Sequence, residues 1–189
     1  MRKVKIWLVL SLVVGVAAVF AESQVDESKF VIRKIDEQVV LYTIQRGSYD
    51  KAGMAIGKLF ALAGQKGLQP CGSVSYVYLN NPQCVSSEHW LTEIRIPVSK
   101  EALKYAGTLG EMTDVKILPS MEVAVAIKPE GQADQSDIYN RIYIWIIKQN
   151  YMVLDSACET FLTNSMSGNY AQMKSQIAIP VKKLCDSKN

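Results

Sequence analysis

Glu93-Ile94-Arg95-Ile96-Pro97-Val98-Ser99-Lys100 and Gln176-Ile177-Ala178-Ile179-Pro180-Val181-Lys182-Lys183 decide the fold, because they are two copies of one strand ending. The shared pattern Ile-x-Ile-Pro-Val-x-Lys overlays at a shift of 83 residues without a gap. The same shift sets Val40 on Val123, Ile44 on Ile127, Leu79 on Leu162 and Asn81 on Asn164, and exchanges apolar for apolar at Leu59/Ile142, Phe60/Tyr143 and Leu68/Tyr151. Self-similarity at a fixed spacing marks a repeated structural unit. The units run from about 31 to 104 and from about 114 to 186, joined by the Gly-rich, polar stretch Tyr105 to Thr113.

Within each unit the hydrophobic period changes from two to 3.6 and back. In the first, Val39 to Gln45 alternates as a strand. Tyr49 to Gly64 carries the helical stripe Ala52, Ile56, Leu59, Phe60, Ala63 and ends at Gly67, and Ser73 to Leu79 and Leu91 to Val98 are strands. In the second, Met121 to Lys128 is a strand, Ile138, Ile142, Trp145 and Ile146 stripe a helix over about 136–149, and Met152 to Leu162 and Gln176 to Val181 are strands. Three strands and a helix bury only one sheet face, so two such units must share a surface. The expected fold class is α+β: two tandem strand-helix-strand-strand modules related by a pseudo-two-fold, with antiparallel sheets and a ligand cleft between the halves.

The stretch Leu154 to Asn164 sets one acid in an apolar strand. Alternation puts Ala157, Glu159 and Phe161 on one face and Ser156, Cys158, Thr160 and Leu162 on the other. A Glu on an apolar face is explained by an edge strand, by a solvated face, or by function. Under the repeat Glu159 is the mate of Tyr76, Phe161 of Tyr78 and Ala157 of Val74. If the helices cover the opposite face, Tyr76, Tyr78, Glu159 and Phe161 line the space between the halves, with Trp145 joining from the second helix. Aromatic walls around one acid describe a small-molecule pocket.

The N-terminus reads separately. Arg2, Lys3 and Lys5 precede the apolar run Ile6 to Phe20, and Val19-Phe20-Ala21 supplies small residues at a cleavage site, the pattern of a signal peptide occupying 1–21. Its removal takes those three basic residues from the 21 Lys and Arg and none of the 18 Asp and Glu, leaving a formally neutral chain. No basic excess remains to grip a phosphate backbone, so a nucleic-acid partner is excluded, and stable membrane insertion after cleavage is not expected. The expected location is exported, periplasmic or secreted, where the four cysteines Cys71, Cys84, Cys158 and Cys185 are permitted to pair. A straight strand over 72–79 would hold Cys71 and Cys84 on the order of 20 Å apart, so that pairing is least favoured; free thiols are the alternative. Their spacing fits no zinc motif, and with the single His89 in a polar loop no metal and no cofactor is expected.

Arg46-Gly47-Ser48-Tyr49, Ile144-Trp145-Ile146-Ile147, Cys158-Glu159-Thr160-Phe161-Leu162-Thr163-Asn164 and the two Ile-Pro-Val endings carry a resemblance over Val31 to Lys182. The chain resembles the GyrI-like small-molecule-binding domain, also met as the effector-binding domain of AraC- and MerR-type regulators, and is more distantly similar to the SOUL haem-binding proteins. The resemblance implies a cleft between two modules with the acid matching Glu159 at its floor, pairing with cationic aromatic ligands; some members of the family act as hydrolases. The chain departs from the pattern at Pro129-Glu130-Gly131-Gln132, where a Gly-x-Tyr turn is expected, and carries no DNA-binding helical domain. Three functions follow: a monomeric protein binding a cationic or aromatic small molecule at Glu159, Tyr76, Tyr78, Phe161 and Trp145; a hydrolase with Glu159 as general acid or base; or an interaction module presenting Trp90, Tyr105, Tyr139 and Tyr170.

Overall fold

The computed structural model describes residues 30–130, 136–162 and 173–185. In chain order the strands are β1 (Val31–Ile35), β2 (Gln38–Arg46), β3 (Ser75–Tyr78), β4 (Leu91–Val98), β5 (Thr113–Leu118), β6 (Met121–Lys128), β7 (Tyr151–Val153), β8 (Cys158–Phe161) and β9 (Ser175–Lys183). Helix α1 (Ala52–Gln65) follows β2, and α2 (Ser136–Lys148) follows β6. All strand pairings are antiparallel, in the order β1-β6-β9-β8-β3-β4-β2-β5, with β7 beside β9. The class is α+β, as expected. Strands β1 and β5, which the periodicity left unassigned, add one flank to each end of the order.

Local chemistry sets the element ends. The side chain of Ser48 accepts from the backbone N–H of Asp50 at the 3-10 turn that leads into α1. At the other end of α1, Gly67 adopts φ 66°, and its N–H reaches Gly64 O at 3.1 Å while Leu68 N–H reaches Ala63 O at 2.9 Å. This is a left-handed glycine cap, closed by burial of Leu68 beside Ala63. The stripe Ala52, Ile56, Leu59, Ala63 is buried as expected, but Phe60 points outward, 41% exposed.

Met152 to Leu162 is not one strand. The chain pairs with the end of β9 at Tyr151 to Val153, detaches over Leu154 to Ala157, and returns as β8. The detachment lies across from Pro180, which accepts from Leu154 N–H at 2.9 Å and has no N–H to return. Pro97 acts the same way in the first half, accepting from Cys71 N–H at 2.9 Å before β3 begins.

Two short links shape the sheet. Asp36-Glu37 joins β1 to β2, and Pro119-Ser120 joins β5 to β6, although each pair lies towards opposite ends of the strand order. A two-residue link spans only about 10 Å. The sheet is therefore curled, and Ser120 Oγ donates to Ile35 O at 2.9 Å where the ends approach. Both helices cover one face. Under α1 lie Val39, Leu41, Tyr76, Ile94, Ile96 and Phe161; under α2 lie Ala124, Ala126, Ala157, Ile177 and Ile179.

All four thiols are free, with Cys158 half-buried and the other three exposed. Among the described residues no helix is long and apolar enough to cross a membrane, and no cluster of potential metal ligands occurs. Residues 1–21 lie outside the described residues.

Candidate functional site

Strand β8 pairs with β9 on one side and β3 on the other, so the edge-strand explanation of Glu159 fails. Glu159 lies directly across from Tyr76 in β3 and Ile177 in β9, and it is fully buried. Its face is the helix-covered one, contrary to the expectation that the helices lie behind it: Tyr76 and Phe161 pack under α1 and Ala157 under α2.

Among the described residues the carboxylate has three partners. Lys128 Nζ lies 2.6 Å from Oε1, and Ser175 Oγ donates to the same oxygen at 2.5 Å. The Tyr78 hydroxyl donates to Oε2 at 2.8 Å. Lys128 and Ser175 are opposite each other in β6 and β9, and both are fully buried. Two buried ions at this separation compensate one another only with further hydrogen bonds, which Ser175 and Tyr78 supply. The cation beside Glu159 in this structure is the chain's own Lys128, at the place where the sequence alone leads one to expect a ligand's cation. Lys128 closes an otherwise apolar strand, Val123 to Ile127, and a cation on the inward face of β6 was the signal to read.

Aromatic rings run from the carboxylate towards the surface. Tyr76 stands edge-on to Phe161 at 4.7 Å and to Tyr78 at 6.4 Å. Tyr78 meets Tyr49 at 5.4 Å, and Tyr49 stacks on Trp90 at 4.4 Å. Burial, then the charge of Glu159, pushes the Tyr78 hydroxyl well above the usual phenol range. The same two causes raise Tyr139, on α2, and Tyr49. Of the residues expected at the site, Glu159, Tyr76, Tyr78 and Phe161 meet. Trp145 does not join them: it packs edge-on against Phe30 at 5.9 Å on the flank of α2. Trp90, expected as a surface patch, is instead held against Tyr49 with its indole N–H on Val85 O. Tyr170 lies outside the described residues.

Three polar atoms here are buried without a hydrogen-bond partner among the described residues: Gln45 Oε1, Thr92 Oγ1 and the Tyr139 hydroxyl. Thr92 lies between Tyr78 and Gln45 across β3, β4 and β2, and Gln45 uses its amide nitrogen on Ser48 O at 3.0 Å, directly before Tyr49. Each such atom costs about 1–3 kcal/mol and calls for a partner. His89 sits in a short exposed turn, bonded to Ser86 Oγ at 3.0 Å, with no role at this site.

No protein-family model matches the sequence, and no curated protein is significantly similar to it. Solved structures do share its fold. EcmrR in its DNA complex matches with a TM-score of 0.66 and 14% identity over 82% of this chain, which spans 57% of the EcmrR chain. The EcmrR C-terminal domain alone matches with 0.63 and 14% identity, covering 82% of this chain and 98% of the domain. A hydrolase from Listeria innocua matches with 0.60 and 12% identity, over 82% and 92%. At these identities the likeness is one of fold.

Proposed function

We propose that the chain is a GyrI-like small-molecule-binding protein whose ligand is an uncharged aromatic with at least one polar edge. The carrying observation is the half-buried aromatic group Tyr49, Trp90, Tyr78 and Tyr139 set above a carboxylate already neutralised by Lys128. Stacking on these rings suits any flat ligand. A cation would meet no net charge, and its desolvation would go uncompensated. The unpartnered Gln45 Oε1, Thr92 Oγ1 and Tyr139 hydroxyl suit a ligand that brings hydrogen-bond donors and acceptors.

The fold shared with the EcmrR C-terminal domain supports this reading, as does the internal repeat. The mates under the 83-residue shift stand in the order β6-β9-β8 and then β3-β4-β2, so that Tyr76 and Glu159 face each other at the middle. We take this as a duplicated unit folded about a pseudo-two-fold, with the ligand near its centre. The hydrolase reading is less favoured, since a general acid or base needs an oxygen free to exchange a proton with substrate, and both oxygens of Glu159 are engaged. Export after cleavage at Ala21 belongs to the proposal; the mass of the protein recovered from the exported fraction tests it.

The test of the ligand site is a thermal-shift and tryptophan-fluorescence screen of 2-naphthol and indole against benzyltrimethylammonium. Neutral rings are expected to raise the melting temperature and perturb Trp90, the cation to do neither, and Tyr49→Ala to abolish the response. No response to any neutral aromatic, or an unchanged response in Tyr49→Ala, would refute the assignment.

A further inference from the structure

The face of the sheet turned away from the helices holds a groove of about 740 Å³ that contains none of the residues around Glu159. It lies inside the curl, closed at one end where Ile35 meets the Pro119-Ser120 link. Gln176, Thr160, Ser75 and Arg95 lie directly opposite one another on four neighbouring strands, β9, β8, β3 and β4. They form one polar row across the floor, and all four line the groove. Apolar walls rise on either side from Val40, Pro97, Ala178 and Pro180.

The row is built but unused. Among the described residues the side chains of Gln176, Thr160 and Ser75 make no hydrogen bond, although Ser75 is only 7% exposed. Arg95 uses its Nε on Glu93 at 2.5 Å, and among the described residues its two terminal guanidinium nitrogens make no hydrogen bond. Glu93 also holds Lys116 Nζ at 2.6 Å, so two cations share one buried carboxylate at this point of the floor. At the rim Lys100 pairs with Glu37, and Asp155 stands exposed.

We propose that this groove is a second binding site, for a carboxylate-headed amphiphile. The carboxylate takes the free fork of Arg95, a charge-assisted contact that suits two parallel N–H···O bonds. The apolar chain runs between Val40, Pro97, Ala178 and Pro180, and Ser75 and Thr160 donate to the carboxylate from beside the guanidinium. A concave pocket of this size, with apolar walls and a polar row converging on Arg95 across its floor, has the anatomy of a small-molecule site. The inference does not depend on the aromatic site, which lies on the other face of the same strands.

Octanoate is the probe, with octanol as its uncharged counterpart, measured by calorimetry on the intact protein. Cys158, two residues before Thr160 and on the groove face, gives an independent readout: saturating octanoate is expected to slow its alkylation several-fold while leaving Cys84, outside the groove, unchanged. Arg95→Gln is expected to weaken octanoate at least tenfold and octanol little. Glu93 keeps Lys116 in that variant, and Thr160→Val, which removes no charge, provides a second variant with a smaller loss. Tyr49→Ala is expected to bind octanoate as the parent does. Absence of saturable binding, equal affinity in Arg95→Gln, or loss of octanoate binding in Tyr49→Ala would each overturn the proposal.

Discussion

Replacing Lys128 by Met removes the cation 2.6 Å from Glu159 and leaves a fully buried carboxylate with only Ser175 and Tyr78 as donors. Breaking one side of a buried ion pair costs about 3–5 kcal/mol, because the survivor keeps its desolvation penalty and loses its compensation. A domain of this size has a total stability of about 5–15 kcal/mol, so the variant loses about a fifth or more of it and melts roughly 6–20 °C lower. Glu159→Gln strands Lys128 in the same way and is expected to fall in the same range. The double variant Lys128→Met/Glu159→Gln removes both charges while the amide still meets Ser175 and Tyr78, so it should return to within about 1–2 kcal/mol of the parent. Urea denaturation followed by circular dichroism measures all four proteins. Additive losses would show that the two ions do not compensate each other, and the argument that this site rejects cations would fall with them.

Tyr78 and Tyr139 titrate above free phenols because burial and then Glu159 disfavour their anions. A raised folded-state value favours the protonated form in the native protein, so stability is intact below about pH 10 and falls as pH rises beyond it. Difference absorbance at 295 nm should show these two phenols ionising only with unfolding; full tyrosinate absorbance in the folded protein at pH 11 would contradict this. Tyr78→Phe deletes a hydrogen bond to a charged group and should cost about 1.5–3 kcal/mol in urea denaturation, a loss absent if the Tyr78–Glu159 contact is incidental. In the groove, a Cβ added to Gly72 would lie 2.9 Å from Pro97 Cγ, so Gly72→Ala should destabilise by about 1–3 kcal/mol through overpacking. A neutral result there would mean that the Pro97 wall moves freely.

Ile-x-Ile-Pro-Val-x-Lys is legible twice because both occurrences fall in inner strands, β4 and β9, where Ile94, Ile96, Ile177 and Ile179 are wholly buried. The inward orientation of Glu159 followed from simple alternation. Which face the helices cover did not, because period-two alternation distinguishes two faces without saying which one a neighbouring stripe will meet. Strands β1 and β5 are short and mixed, half-buried at the flanks of the order, so their hydrophobic signal is weak. Lys128 escaped for a different reason. A terminal Lys on a strand usually marks solvent, and only the register with Ser175 shows that its amine is turned inward. Trp145 was placed at the site for its chemistry, whereas α2 turns it towards Phe30.

The 83-residue shift also pairs Gln45 with Lys128 and Thr92 with Ser175, as it pairs Tyr76 with Glu159. Both pairs are direct neighbours in their sheets: Gln45 faces Thr92 as Lys128 faces Ser175. In one half the set closes as an ion pair, with Ser175 from the same half and Tyr78 from the other as hydroxyl donors. In the other, Gln45 Oε1 and Thr92 Oγ1 are buried without partners among the described residues, beside the Tyr49–Trp90 stack. A protein selected for stability alone would not keep these atoms, since an apolar isostere removes the penalty. Thr92→Val, which exchanges a hydroxyl for a methyl, is therefore expected to stabilise the unliganded protein by about 1 kcal/mol, a few degrees in melting temperature. The same variant should weaken a hydroxylated aromatic such as 2-naphthol several-fold while leaving naphthalene unaffected, because only the first can use the Thr92 oxygen. A gain in stability with unchanged selectivity would mean that the orphaned hydroxyl has no part in recognition; a loss of stability would mean that it already has a partner in the resting protein.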